Sequence, residues 1–186
     1  DVRDFTSISE GLTPEGLKDL MNTYLTAMTE KVQEKRGTID KYIGDAIMAF
    51  WGAPVADDEH ALHAVQAALT MTECLGELNR GLVGRGLPQI GVGIGINTGL
   101  VCVGDMGSDL RRSYTVMGDP VNLASRVEAL TRVYGIDVLV GEATREAIGW
   151  SHAPFHIPEA VHAAWDQRAR GAGLEKDWNT RFDAYA

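Results

Sequence analysis

The stretch "TIDKYIGDAIMAFWG" sets Gly44-Asp45 between two short β-prone runs, which places the Asp45 carboxylate at the tip of a tight hairpin. Glycine lets the backbone turn there. Together with Asp1, Asp45 offers the oxygen donors that a hard divalent cation such as Mg²⁺ takes, although a Gly-Asp pair is also ordinary turn chemistry. Lys41 lies four residues upstream on the incoming strand. Period-two alternation puts it on one face with Ile39 and Ile43, so it reads either as a snorkelling edge residue or as a donor aimed at a ligand. The third group lies in "YTVMGDPVNLASR", residues 114–126, where Asn122 and Arg126 stand one helical turn apart beside the apolar stripe Leu123, Val127 and Leu130. An amide beside a guanidinium can hold a sugar oxygen and a phosphoryl oxygen, because the arginine fork matches phosphate. A plain Asn–Arg surface pair is the alternative.

Regular elements must carry these side chains. Thr13-Pro14-Glu15 supplies a capping hydroxyl, a proline at the first helical position and an acid in the first turn, predicting a helix of about six turns that ends before Gly37. A second helix is expected from about 57 to 79, with Ala61, Val65, Ala68, Thr72 and Leu75 on its buried face. "QIGVGIGINTGLVCVGDMG" (89–107) gives two strand-like runs and "SYTVMG" another. Asp119 is the expected cap of a third helix that Pro120 opens and Gly135 closes, before the strand "IDVLVG" and the short helix "EATREAIG". Strands alternating with helices, with hairpins among them, predict an α+β architecture: an antiparallel or mixed sheet with helices on one face.

Two signals are discounted. "GVGIGINTG" is rich in glycine but precedes another strand and lacks the lysine and spacing of a phosphate loop. The five histidines show no spacing that forms a zinc site with a cysteine or acid. With 186 residues, 45% of them hydrophobic, the chain can bury one good core, and its net charge of -9 disfavours nucleic acid and anionic membrane surfaces. Cys74 and Cys102 read as two buried free thiols in a reducing compartment, with a disulfide as the alternative. No run approaches the roughly 18 apolar residues of a membrane span, and no signal peptide is evident. The expected location is cytoplasmic, without direct membrane contact, including the case of a cytosolic module of a larger membrane-attached sensor.

The segments "DVRDFTSISE", "GTIDKYIGDAIMAFWGAP", "GVGIGINTG" and "YTVMGDPVNLASRVEA" resemble, in order and spacing, the signatures of the class III nucleotidyl cyclase catalytic domain. The likeness covers roughly residues 1–149, leaving 150–186 as a helical C-terminal extension of unknown role. It implies a ferredoxin-like βαββαβ core. It further implies that Asp1 and Asp45, helped by the Val2 carbonyl, hold two Mg²⁺ or Mn²⁺ ions. By the same resemblance Asn122 orients the ribose and Arg126 stabilises charge on the α-phosphoryl group. Lys41 paired with Thr115 matches the adenine-reading pair of the threonine-bearing bacterial-type subgroup, some of whose members respond to bicarbonate. ATP is therefore the implied substrate, and the products are 3′,5′-cyclic AMP and pyrophosphate. A chain with one copy of each half-site is expected to form a head-to-tail homodimer with shared sites.

The sequence departs from that pattern near its C-terminus, where "SHAPFHIPEAVHAAW" lacks the expected phosphate-binding Lys-Gly segment. Arg111 or Arg112 is the substitute. A catalytically silent regulatory or dimerisation domain and a GTP-using guanylyl cyclase are the competing readings. Silent members should lose an aspartate or the Asn–Arg pair, and this chain keeps both.

Overall fold

The computed structural model describes residues 1–149, so the extension expected over 150–186 lies outside the described residues. Helix α1 (Phe5–Glu10) comes first, an element the sequence pattern did not signal. Helix α2 (Pro14–Glu34) begins as expected, with Thr13 Oγ1 accepting from the Gly16 amide at 3.1 Å. Its inner face carries Leu20, Tyr24, Met28 and Val32, a near-perfect i, i+4 row. Each is at most 2% exposed, so truncating Met28 to alanine would cost about 2–5 kcal/mol.

Strands β1 (Thr38–Ile43) and β2 (Ala46–Phe50) form the expected hairpin around Gly44, whose φ of 65° suits the tight turn. The register is irregular in one place. Ile39 pairs with Ala49 and Lys41 with Met48, so Asp40 is an extra residue, a β-bulge. The bulge overturns the expectation that Lys41 shares a face with Ile39. Ile39 packs with Ile47 and Ala49 against the α2 core, whereas Lys41 emerges on the opposite, open face beside the exposed Ile43.

Helix α3 (His60–Gly84) starts and ends later than expected. Its buried face includes Ala61, Val65, Ala68 and Leu75, with Met71 rather than Thr72 filling the middle. The Thr72 hydroxyl instead donates to the Leu69 carbonyl. Strands β3 (Ile94–Ile96) and β6 (Val138–Val140) pair in parallel, and β4 (Cys102–Ser108) and β5 (Arg111–Met117) pair antiparallel. Among the described residues the strands thus form three two-stranded ladders rather than one unbroken sheet. Residues 1–3 lie alongside 91–93 through the Val2–Val92 bridge and the bonds Arg3 N to Gly91 O and Gly93 N to Asp1 O.

Helix α4 (Asp119–Tyr134) lies on β3 and β6, and α5 (Glu142–Ala147) follows β6. The cap of α4 is Gly118, not Asp119, and Gly135 closes it in the left-handed region. The glycine-rich run before β4 has a packing purpose. A Cβ on Gly95 would stand 2.2 Å from the Glu128 amide nitrogen and 2.5 Å from the Ala124 carbonyl, so only glycine lets α4 approach β3 this closely. Both cysteines are free as expected, but neither is buried: Cys74 is half-buried and Cys102, on β4, is exposed.

Candidate active site

The hairpin tip and the first residues of the chain meet. The Val2 amide donates to Asp45 Oδ2 at 3.0 Å, which fixes the carboxylate beside the backbone that follows Asp1. Val2 is buried, while the Asp1 side chain is exposed and Asp45 is half-buried. Tyr24 lies behind this corner. Burial, and then the nearby Asp45 charge, push its phenol well above the ordinary tyrosine value, so it stays neutral. Two carboxylates and a backbone carbonyl are hard oxygen donors of the kind Mg²⁺ or Mn²⁺ takes. Among the described residues no cluster of three or more His, Cys, Asp or Glu side chains forms a closed metal cage. Ions held by Asp1, Asp45 and the Val2 carbonyl would therefore keep open positions for water or substrate oxygens.

A second cluster joins β1 to β5. Lys41 Nζ donates to Thr115 Oγ1 at 3.1 Å, although 74 residues separate them. Thr115 is 3% exposed and its hydroxyl donates to Asp40 Oδ2 at 2.6 Å. The same oxygen accepts from the Val116 amide at 3.3 Å. The other Asp40 oxygen faces the Lys41 ammonium at 3.3 Å as an ion pair, without hydrogen-bond geometry. The bulge makes this arrangement possible, since it turns the Asp40 side chain out of the ladder and into full burial between the strands. Asp40 was missed in the sequence. Its signal was an acid inside an alternating β run, immediately before the candidate lysine.

Asn122 and Arg126 lie on α4, which begins two residues after β5 ends. Both are exposed, and neither has a hydrogen-bond or ion-pair partner among the described residues. The Asn–Arg surface pair therefore does not form. Leu123 and Leu130 beside them are about two-fifths exposed, so the expected apolar stripe is buried only at Val127. Arg111 lies at the other end of β5, four residues and so about 13 Å along the strand from Thr115. Its amide bonds to Ser108 Oγ, and the Arg112 guanidinium pairs with Asp109 at 3.3 Å. Neither arginine is brought to Asn122 and Arg126 by any contact among the described residues. No hydrogen bond or ion pair there joins the Asp45 cluster to the Lys41–Thr115 cluster either.

The family described as "Adenylate and Guanylate cyclase catalytic domain" matches residues 1–151. The chain is 43% identical over 143 residues to Adenylate cyclase 1 of Rhizobium meliloti, and 44% identical over 147 residues to an adenylate cyclase of Anabaena cylindrica. The alignments cover 77% of this chain but only 22% and 28% of those two proteins. Among solved structures, the adenylyl cyclase CyaB from P. aeruginosa superposes with a TM-score of 0.74 at 35% identity, covering 80% of this chain and 76% of that one. The guanylyl cyclase Cya2 superposes with a TM-score of 0.73 at 39% identity, covering 79% and 74%. These folds confirm the expected α+β cyclase architecture.

Proposed function

This chain belongs to the adenylate and guanylate cyclase catalytic-domain family, and on that premise we propose that it converts ATP into 3′,5′-cyclic AMP and pyrophosphate. The observation that carries the choice of ATP is the 3.1 Å contact between Lys41 Nζ and Thr115 Oγ1. A lysine donor serves adenine N1, and a hydroxyl lone pair accepts from the 6-amino group. Guanine presents an N–H and a carbonyl at those places, the opposite pattern.

In the proposed reaction the ribose 3′-oxygen forms a bond to the α-phosphorus, the bond from that phosphorus to the α,β-bridging oxygen breaks in line, and pyrophosphate leaves. The hydroxyl proton departs to solvent. Catalytic domains of this family use divalent metal ions; we assign Mg²⁺ or Mn²⁺ here, two ions supplying Lewis acidity toward the 3′-oxygen and the triphosphate. Asp1, Asp45 and the Val2 carbonyl would hold them. Asn122 orients the ribose, and the Arg126 fork takes up charge that develops on the α-phosphoryl oxygens. Both side chains are exposed and unpartnered among the described residues, as groups awaiting a ligand would be.

The site is assigned to a head-to-tail homodimer, with Asp1 and Asp45 of one protomer facing Lys41, Thr115, Asn122 and Arg126 of its partner. The absence of any bond between the two clusters in the described part of one chain supports this division. Of the described residues no helix is long and apolar enough to cross a membrane. We place the domain in the cytoplasm. The likeness to a guanylyl cyclase at 39% identity keeps GTP as the second reading. Purified protein with Mn²⁺ or Mg²⁺ and either ATP or GTP, followed for cyclic product, decides among the readings. Cyclic AMP supports the proposal, cyclic GTP alone supports the second reading, and no product from either sinks both.

A further inference from the structure

We propose that Asp40 sets base selectivity by fixing the Thr115 hydroxyl as an acceptor toward the substrate base, an inference that rests on the ATP reading. A free threonine hydroxyl is ambivalent: its one proton and two lone pairs let it serve adenine's amino group or guanine's carbonyl equally well. Here the proton is committed. Thr115 Oγ1 lies 2.6 Å from Asp40 Oδ2, and a carboxylate can only accept, so the hydroxyl must donate inward. Lys41 Nζ then uses one lone pair at 3.1 Å. One lone pair remains, and it can only receive a proton.

The carboxylate itself cannot turn away. Its side chain is 0% exposed, the Val116 amide holds Oδ2, and the Lys41 ammonium stands 3.3 Å from Oδ1. Asp40 thus touches no substrate and is a positioning residue. It orders both base-reading groups at once, directing the threonine through a hydrogen bond and the lysine through charge. A guanine carbonyl brought to this site would meet a lone pair with no proton available, which is how a buried polar site rejects the wrong partner.

The test measures kcat/KM for ATP and for GTP with wild type, Asp40→Ala and Asp40→Asn. Alanine removes the acceptor, and asparagine keeps the shape and surrenders the acceptor-only character should alanine fail to fold. The expected result is a fall in the ATP-to-GTP ratio on the order of tenfold or more, in part through gained GTP use. Adding Asp40→Asn to a Thr115→Val background should leave the ratio unmoved, because no hydroxyl remains to direct. Equal loss with both nucleotides, or the same ratio change in the Thr115→Val background, overturns the inference while leaving the ATP reading intact. Wild type forming no cyclic AMP overturns both.

Discussion

The Val2 amide and the Asp45 carboxylate are hydrogen-bonded over 3.0 Å across a sequence separation of 43 residues. The bond uses Oδ2 and so leaves Oδ1 for another partner. Asp45→Asn preserves the shape and can keep an oxygen on Val2, but it removes the negative charge that a divalent cation needs. Cyclic AMP formation at saturating Mn²⁺ is expected to fall by on the order of a hundredfold or more, with an unchanged circular dichroism spectrum.

The divided site makes a mixing experiment informative. Asp45→Ala and Arg126→Ala should each be nearly inactive alone. Mixed and allowed to exchange partners, half the dimers are hybrids with one intact site of two, so activity should return to about a quarter of wild type. Hybrids that form, as shown by tagged co-purification, yet regain nothing would refute the shared site.

Gly95 offers a test that separates packing from chemistry. In Gly95→Ala the new methyl carbon meets the Glu128 amide at 2.2 Å, so α4 must lift from β3. A loss of about 1–3 kcal/mol is expected in denaturant titration. Because α4 also carries Asn122 and Arg126, kcat should drop even where the protein is fully folded.

Acid should weaken the entrance to α3. The His63 ring donates to Asp57 Oδ2 at 2.7 Å and the Glu59 amide to Oδ1 at 3.2 Å, with Arg36 3.8 Å away. The hydrogen bond from His63, then the Glu59 amide and the Arg36 charge, hold the Asp57 carboxyl below its ordinary range. A depressed carboxylate contributes stability that is full above its unfolded pKa and disappears as pH falls through its folded one. Asp57→Asn should therefore lower Tm at neutral pH, and the difference from wild type should shrink as pH drops below about 4. A constant difference across that range would refute the assignment.

Much of this was legible in the sequence where local chemistry decides the outcome. Thr13-Pro14 and Gly135 mark helix ends through backbone rules that tertiary packing did not override, and Gly44-Asp45 marks its turn. Lys41 stood out by its place on the strand, but its pairing with Thr115 was legible only through resemblance, since nothing in their spacing announces that β1 and β5 become neighbours. The facing of Lys41 was misread because alternation presumes an unbroken ladder, and a bulge is invisible to a period-two count. Asp40 escaped because its role depends on a partner 75 residues away. The glycine-rich run was visible in the sequence, but its cause is α4, some thirty residues downstream, whose Thr131 and Glu128 side chains crowd Gly93 and whose backbone crowds Gly95.

The bulge in β1 also bears on how this hairpin tolerates length changes. Losing one residue from a paired strand normally exchanges its inner and outer faces and ruins the core. Deleting Asp40 would do the reverse, joining Ile39 to Lys41 opposite the consecutive residues Ala49 and Met48 and healing the ladder. Such a deletion should spare folding and erase the preference between purine bases. In this hairpin an insertion-deletion event, more than a point substitution, is a short evolutionary route to a different nucleotide.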